Sequence, residues 1–469
     1  MLIYILLRLF VPKKNYTLEG DECRHLGTAN NFYKFWNRSF YDFHPPFYSW
    51  VIRCFKFIGD WKAGILTSLL CAVGLYIVCS QLYIDLGLTP YQRKVALIFL
   101  TFNYTLVYYS SRIFRYQMIA FLGTLMIWLM VTHQYFAAGL TWGLLGLTCT
   151  FVALRGFWIW GCLGFHIFTI IPFLFIFGSW IEEKLTIYCD HEYWPSGQEG
   201  KIERVRDFTI KQLISPMFFN WSYAYYGKKE TSYDFKGWPK KIGGVFGLYQ
   251  TNNKYLNVVL GSLTALAIWY AIKGALSSPV WLVILTLALL YPSLLKRFLP
   301  RNSIIAIPLL GFLLAKGLPQ IPEIWLFWGV LALAFGFLGF MRATAFTKPK
   351  IKARLTARYL DSLPAPWGIM SDGIIGYYLA YRSKKRIVVI PHDPDPIKAR
   401  HQMKLTMDKF LVKYAVFSDL YLTEMHLKYP AIHYIKNTKV YNGKEWVHKF
   451  KLLKTIKEDN DTYYVYELH

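Results

Sequence analysis

EGDECRHLGTANNFYKFWNRSFYDFHPPFYSW, residues 19–50, is a polar, aromatic-rich segment between two hydrophobic ones. It contains an acidic pair, Asp21 and Glu22, and further on the triplet His44-Pro45-Pro46. A loop that only joins two membrane helices needs neither feature. Because catalytic groups are concentrated on loops held between rigid elements, we predict that this first outer loop, residues 12–61, carries the chemistry.

The segments on either side of this loop indicate a membrane protein. The chain has 469 residues, of which 55% are hydrophobic and only 17% charged, and its mean hydropathy is +0.27. A soluble protein carries about 25% charged residues. The apolar residues also occur in blocks close to the ~20 residues that a helix needs to cross a bilayer. The composition therefore predicts an α-helical polytopic membrane protein.

The apolar blocks predict a multi-pass transmembrane domain over residues 1–341. Residues 1–11 are apolar but reach only about 16 Å as a helix, so we expect a first span whose beginning is missing or misassigned. After Pro46, FYSWVIRCFKFIG predicts a helix lying along the membrane surface, because Arg53 and Lys56 interrupt its apolar run. The polar stretch 180–255 is predicted to be a long surface loop. Spans are predicted near residues 62–83, 94–109, 116–132, 135–153, 156–179, 256–274, 278–295, 302–317 and 323–341.

Beyond the last predicted span, the pattern changes to that of a soluble domain. Residues 342–350 are a basic linker, and residues 351–469 are predicted to form an α/β tail domain. WGIMSDG and RIVVIPHD predict strands on either side of a helix over GIIGYYLAYRS, an alternation typical of α/β folds. Helices at 396–412 and 418–428 and strands at 448–455 and 462–467 are predicted to complete the domain.

A net charge of +25 is compatible with nucleic-acid binding or with a membrane surface. Here the Lys and Arg residues lie in loops and in the tail, beside the predicted spans. At such positions they orient helices and attract anionic headgroups or lipid phosphates. We therefore predict membrane lipid as a partner, and no nucleic acid.

The seven cysteines, an odd number, do not indicate a disulfide framework. Cys23 and Cys54 flank the acidic loop and would pair only if it faces an oxidising space. Two free thiols are the favoured interpretation. No dedicated metal site is visible, because His191 and His392 with their acidic neighbours are better explained as surface polar clusters. The sequence leaves open whether a divalent cation is a cofactor.

The first outer loop offers two candidate catalytic groups. Asp21 or Glu22 is a general base if the nearby bilayer tunes its pKa, or else a solvated loop carboxylate. His44 is a hydrogen-bond donor or proton relay on a backbone stiffened by two prolines, or only the rigid start of an interfacial helix.

Two clusters of basic residues at span boundaries are candidate phosphate sites. Arg112 and Arg115 in SSRIFRYQM can grip a phosphate through two parallel hydrogen bonds. The alternative is that they extend to the membrane interface. Lys296, Arg297 and Arg301 in KRFLPRNSIIAIP either bind an anionic headgroup or only fix topology.

Taken in this order, the patterns resemble the C-type glycosyltransferase superfamily. Within it, they resemble the branch that holds protein O-mannosyltransferases and the bacterial lipid A aminoarabinose transferase. That branch has an acidic residue or pair in the first outer loop, then H/K-P-P-[LF]-[YF], S-R-x-x-R-[YF] and R-[YF]-x-x-P segments. The tail segment MSDGIIGYYLAYRSKKRIVVIP is also similar to the soluble domain of many prokaryotic members. The matching residues here are Asp21-Glu22, His44-Pro45-Pro46-Phe47-Tyr48, Ser111-Arg112-Ile113-Phe114-Arg115-Tyr116 and Arg297-Phe298-Leu299-Pro300.

The resemblance implies a membrane glycosyltransferase, a hexosyl or pentosyl transferase. It would move a sugar from a polyprenyl-phosphate donor to a hydroxyl of a lipid, glycan or protein, with inversion. It also implies the plasma membrane of a prokaryote, with the active site and the tail on the outer face. The predicted spans, counted in order, instead return the tail to the cytoplasm, so its side is left open. The implied site comprises Asp21, Glu22 and His44 as catalytic residues and Arg112, Arg115 and Arg297 as donor-phosphate ligands.

Two other classes of protein remain as alternatives. A transporter or lipid flippase would also be polytopic and basic at its edges, but should show inverted repeats, which we do not find in the sequence. A non-catalytic membrane scaffold would tolerate loss of every carboxylate in the first loop.

Overall fold

The described residues divide into two compact units, and the N-terminal segment contributes to both. The first unit contains residues 1–10 and the described residues from 47 to 329, and the second contains residues 20–30 and those from 353 onward. The predicted boundaries of the linker, residues 342–350, lie outside the described residues. The computed structural model describes residues 1–10, 20–30, 47–178, 237–248, 254–294, 303–320, 329, 353–364, 368–371, 375–383, 385, 387–389, 411–419, 450–458 and 461–468.

The described part of the first unit is helical. The first helices are α1 (Leu2–Phe10), α3 (Phe47–Cys54), α4 (Asp60–Asp85), α5 (Pro90–Phe102), α6 (Tyr104–Ser110) and α7 (Tyr116–Val131). They are followed by α8 (Tyr135–Thr148), α9 (Thr150–Leu163), α10 (Ile167–Phe173), α11 (Trp238–Val245), α12 (Lys254–Leu276), α13 (Val280–Leu290) and α14 (Ala306–Gly317). Helix α2 (Gly20–Asn30) belongs to the second unit.

Most of the predicted spans correspond to helices, but some of them are divided between two shorter helices. Within the described residues, two helices are long and apolar enough to cross a membrane, Asp60–Asp85 and Asn257–Leu276. Shorter apolar helices cover much of the predicted spans at 116–132, 135–153, 278–295 and 302–317. The prediction at 323–341 falls outside the described residues. The predicted surface helix after Pro46 is confirmed as a helix by α3.

The predicted span 94–109 is wrong as a continuous helix, because Asn103 interrupts it. Asn103 is extended (φ −61°, ψ 110°) between α5 and α6. Its side-chain amide donates to the Val245 carbonyl over 2.9 Å, and its Oδ1 accepts from the Leu106 N–H over 3.3 Å. The residue thus caps the next helix and ties it to α11, which sequence periodicity does not reveal.

The boundaries of the spans predicted at 135–153 and 156–179 are also displaced. Cys149 is extended (φ −159°, ψ 103°) and separates α8 from α9. Gly164 then adopts φ +110°, a left-handed conformation that glycine reaches without a Cβ penalty, and separates α9 from α10.

Two glycines bring α12 and α14 into backbone contact. A Cβ added at Gly274 would overlap the carbonyl oxygen of Leu313, and one added at Gly317 would overlap that of Tyr270. Close approach of helix backbones through small residues is a common way to pack helices within a membrane.

We expect Gly274→Ala to destabilise the protein by about 1–3 kcal/mol, since the new methyl group meets backbone rather than a side chain that can rotate. Gly261→Ala on the same helix is the matched control. A Cβ there has nothing within 4 Å, so the better helix propensity of Ala should stabilise by up to ~1 kcal/mol. Thermal unfolding of the two purified variants should therefore shift in opposite directions. Equal shifts would contradict the close crossing.

Among its described residues, the second unit has β1 (Gly368–Ser371), β2 (Ile387–Val389), β3 (Val412–Ser418), β4 (Phe450–Glu458) and β5 (Asp461–Leu468). They form a mixed five-stranded sheet with strand order β2-β1-β3-β5-β4. Strand β1 is parallel to β2 and to β3, whereas β5 is antiparallel to β3 and to β4. Helix α15 (Arg354–Ser362) begins where the Glu458 carboxylate accepts the Arg354 and Leu355 N–H groups, over 2.8 and 3.0 Å. Helix α16 (Gly376–Arg382) lies between β1 and β2 in the sequence.

The sequence predicted much of this domain correctly. Strands in WGIMSDG and RIVVIPHD, the helix in GIIGYYLAYRS and the two last strands are confirmed. The central strand β3 was missed. The helices predicted at 396–412 and 418–428 lie mostly outside the described residues, but their inner ends, Val412 and Ser418, are the first and last residues of β3.

Candidate functional site

The arginine motif forms a turn between α6 and α7, and aromatic rings surround its first arginine. The Nη1 of Arg112 donates to the Tyr108 hydroxyl over 2.8 Å. Its guanidinium lies 5.4 Å from the ring centre of Tyr108 and 5.5 Å from that of Phe114. Rings in such positions attract a cation and hold it in place. Arg112 is half-buried, so its charge is neither fully solvated nor sealed in the core.

A chain of hydrogen bonds joins this turn to the H-P-P-F-Y motif. The Ser68 hydroxyl donates to the Arg112 carbonyl over 2.7 Å. The Tyr48 hydroxyl lies 2.7 Å from the same Ser68 Oγ. Since a serine hydroxyl has one proton to donate, Tyr48 must be the donor to Ser68. Residues far apart in sequence, on α3, α4 and the arginine turn, are therefore connected, and Ser68 was not predicted.

Helix α4 also makes room for the turn. A Cβ added at Gly64, four residues before Ser68, would lie 2.8 Å from the Ile113 side chain. Gly64 and Ser68 share one face of the helix because residues four apart are neighbours. The close contact of Gly64 with Ile113 and the hydrogen bond of Ser68 to the Arg112 carbonyl together position the turn that carries Arg112.

If the arginine turn binds the lipid donor that the sequence resemblance implies, Ser68→Ala should weaken donor binding about 3- to 10-fold, because a hydrogen bond of this kind contributes roughly 0.5–1.5 kcal/mol. The matched control is Thr67→Val, which removes a neighbouring hydroxyl that bonds the Ala63 carbonyl of its own helix. The KM for the lipid donor should rise in the first variant and not in the second. An equal rise in both would assign the effect to helix α4 as a whole.

The second arginine of the motif contacts the break between α8 and α9. The Nη1 of Arg115 lies 3.4 Å from the Thr148 carbonyl, next to the extended residue Cys149. Arg155, one turn into α9, is buried and interacts electrostatically with the Cys149 thiol. Arg155 was not predicted, although an arginine inside the apolar run TFVALRGFWIW is itself a functional signal.

The acidic pair lies on helix α2 rather than in a loop. Asp21 is in the first turn of the helix. The Glu22 side chain is fully buried, His25 three residues later is buried as well, and all three residues belong to the second unit. For Glu22, the alternative of a solvated loop carboxylate is wrong. His25 was not among the predicted site residues. Its position three residues after Glu22, which places both side chains on one face of a helix, could have pointed to it.

The remaining predicted groups are less informative. His44 and Arg297 lie outside the described residues. Cys23 and Cys54 are both free thiols, the first buried and the second exposed. Among the residues that the structure describes, no group of three His, Cys, Asp or Glu side chains could hold a metal ion. The clusters around His191 and His392 are not among those residues.

The structure therefore brings two of the predicted motifs together and assigns the third to another unit. The Tyr48 and Arg112 motifs meet through Ser68 in the first unit. The acidic pair belongs to the second unit, with the tail domain.

This combination of a helical unit and a small α/β domain is a fold that solved structures share. A solved structure with the same fold is ArnT from Cupriavidus metallidurans bound to undecaprenyl phosphate, with a TM-score of 0.63 and 12% identity. The likeness covers 99% of this chain and 96% of that one. The apo state of the same ArnT gives a TM-score of 0.60.

The fold extends to oligosaccharyltransferases. AglB from Archaeoglobus fulgidus, in complex with an inhibitory peptide and a dolichol-phosphate, has a TM-score of 0.51 and 12% identity. That likeness covers 91% of this chain and 69% of AglB. No family model matches the sequence, and no curated protein sequence matches it. At this level of identity the likeness establishes the fold.

Proposed function

We propose that this protein is an integral membrane glycosyltransferase. It moves a sugar from a polyprenyl-phosphate donor to a hydroxyl acceptor, with inversion at the anomeric carbon. The observation that carries the proposal is the likeness over nearly the whole chain to an ArnT structure that holds undecaprenyl phosphate. Two long apolar helices and the shorter ones beside them support a location in the membrane.

The arginine turn supports a phosphate as the group to be recognised. The turn carries two guanidinium groups within four residues. Arg155 adds a third cation next to Cys149, the residue that follows the Thr148 carbonyl contacted by Arg115. Guanidinium groups match the geometry of phosphate oxygens and keep their charge in a dry environment. Such groups stabilise the charge that develops on a leaving phosphate. Arg297 is assigned the same role on the sequence pattern alone.

The reaction is a displacement that conserves charge and atoms. The acceptor oxygen bonds to the anomeric carbon, and the bond from that carbon to the phosphate oxygen breaks. The acceptor proton passes to the Asp21 carboxylate, and polyprenyl phosphate leaves with the bonding electrons. Glu22 orients the site, and His44 is a second proton donor or relay.

The acceptor is a lipid, glycan or protein hydroxyl, and the enzyme acts at the outer face of a prokaryotic plasma membrane. A divalent cation is left open as an additional partner. A transporter or flippase would move the donor lipid without consuming it, and a scaffold would do neither.

The test is to incubate membranes containing the protein with a set of radiolabelled polyprenyl-phosphate sugars, one at a time. We expect one label to move from the lipid to a new acceptor in wild-type membranes and to stay on the lipid in Asp21→Asn membranes. Label that crosses the membrane still attached to its lipid would favour the flippase. Absence of both outcomes with every donor would contradict the proposal.

A further inference from the structure

The helix with the acidic pair is part of the tail domain's core. Cys23 on α2 is fully buried, and it belongs to the same hydrophobic cluster as Leu360, Ile369 and Val465 of the tail. Leu26 and Ala29, three and six residues further along α2, are buried as well. Residues at this spacing lie on one face of a helix. The apolar face of α2 is therefore buried, and Cys23 joins it to the core of the tail domain.

The element packed against this face is α16, the helix that follows β1. A Cβ added at Gly27 would lie 3.8 Å from the Tyr381 Cα and 3.9 Å from its Cβ, in ordinary contact. One turn earlier on α2, the Cys23 thiol interacts electrostatically with Tyr378 and Arg382. Matching i, i+3 and i, i+4 spacings on both helices indicate one continuous contact.

Cys23 has a packing role in this contact. Burial raises the pKa of its thiol, and the negative charge of Glu22 raises it further. A thiol that stays protonated is neither a good nucleophile nor a metal ligand. Its contribution is therefore the apolar volume that it places among the tail residues.

We propose that the tail domain is a positioning element of the transferase, because α16 fixes the helix that carries Asp21 and Glu22. This inference rests on the proposed function. The acidic pair occupies the first turn of α2, and Cys23, the first residue that anchors the helix to the tail cluster, follows it directly. A shift of α2 on α16 would therefore move the carboxylates by a similar distance. Misplacing a catalytic group by about 1 Å can lower a rate ~10²-fold.

The same contact assigns the tail to one side of the membrane. Since α2 lies in the first outer loop and packs into the tail core, both are on the same face. The sequence count, which returned the tail to the cytoplasm, differs from the side that this packing favours.

The docking is tested first by cross-linking, independently of activity. We expect the double variant Gly27→Cys/Tyr381→Cys, with Cys54 replaced by Ser, to form a disulfide on mild oxidation. The separation of the two Cβ positions, 3.9 Å, is within the ~3.5–4.5 Å that a disulfide requires. Mass spectrometry of the proteolysed protein detects the linked peptides, and each single variant is the control. Absence of the link in the folded protein overturns the proposal and leaves the proposed function standing.

Positioning is tested by kinetics in the same background. Leu379 is fully buried on α16, and we expect Leu379→Ala to lower kcat about tenfold or more with little change in donor KM. Oxidation to the Gly27→Cys/Tyr381→Cys link should restore most of this kcat, and reduction should remove the gain. Leu379→Met should keep nearly full kcat, because it preserves the volume.

The control is Val465→Ala, a truncation in the same core but on strand β5. Its kcat should not depend on the state of the link. Full kcat in Leu379→Ala would overturn the positioning role of the tail, and so would loss of activity when the otherwise unchanged Gly27→Cys/Tyr381→Cys enzyme is cross-linked. In either case, formation of the disulfide would still show that α2 packs on α16. Wild-type protein that transfers no sugar from any polyprenyl-phosphate donor would overturn the proposed function, and the positioning role with it.

Discussion

We expect the Asp21→Asn variant to transfer sugar about 10²–10⁴-fold more slowly than the wild type, the usual contribution of a general base. The change keeps the size and polarity of the side chain but removes its charge and its ability to accept a proton. Asp21 lies in the first turn of α2, whose anchoring residues begin at Cys23. Expression, membrane insertion and donor binding should therefore change little. The measurement is the initial rate of transfer at matched protein level.

Two further variants sharpen this result. Asp60→Asn makes the same chemical change in the first turn of α4 and should leave the rate within about twofold, as is usual for a surface substitution. Glu22→Gln should cost less than Asp21→Asn in kcat if Glu22 only orients the site. It should cost more in stability, because Glu22 is fully buried and exchanges a charge for an amide. A wild-type rate in Asp21→Asn would remove the catalytic assignment and return the transporter and the scaffold to consideration.

The double variant Arg112→Ala/Arg115→Ala is expected to lose at least about 100-fold in transfer. Charge-assisted hydrogen bonds contribute roughly 1.5–3 kcal/mol each, and 1.36 kcal/mol corresponds to about one factor of ten in rate. Lys at either position should rescue only partly, because a point charge does not reproduce the planar fork of a guanidinium. The assay is turnover at saturating donor, together with donor KM.

The control for charge is Lys254→Ala/Lys273→Ala, which removes two exposed cations from α12. If both doubles slowed transfer equally, the effect would be one of net charge at the membrane surface. Full activity in the arginine double variant would end the phosphate assignment. A loss confined to kcat would instead mean that the arginines act on the leaving group rather than on the bound donor.

Local patterns in the sequence were sufficient to predict the class of fold and the chemistry worth testing. Blocks of apolar residues predicted the helices, because the length and composition of a buried segment are local properties. The short patterns around Asp21, Tyr48 and Arg112 predicted a fold that the structure shares with ArnT. In the tail, strand β1 and helix α16 were predicted because their alternating and turn-forming residues lie within a few positions of one another.

The way these elements are combined depends on contacts between residues that are far apart in the sequence. Helix α2 is polar and contains Gly20 and Gly27, so its own propensity for a helix is weak, and burial of Cys23 in the tail core holds it. Ser68 became significant only when the fold brought Tyr48 and the Arg112 carbonyl to the same hydroxyl. In each case the stabilising partner is far away in sequence. Local patterns do not encode such contacts, and they decide which carboxylates and cations are held in place.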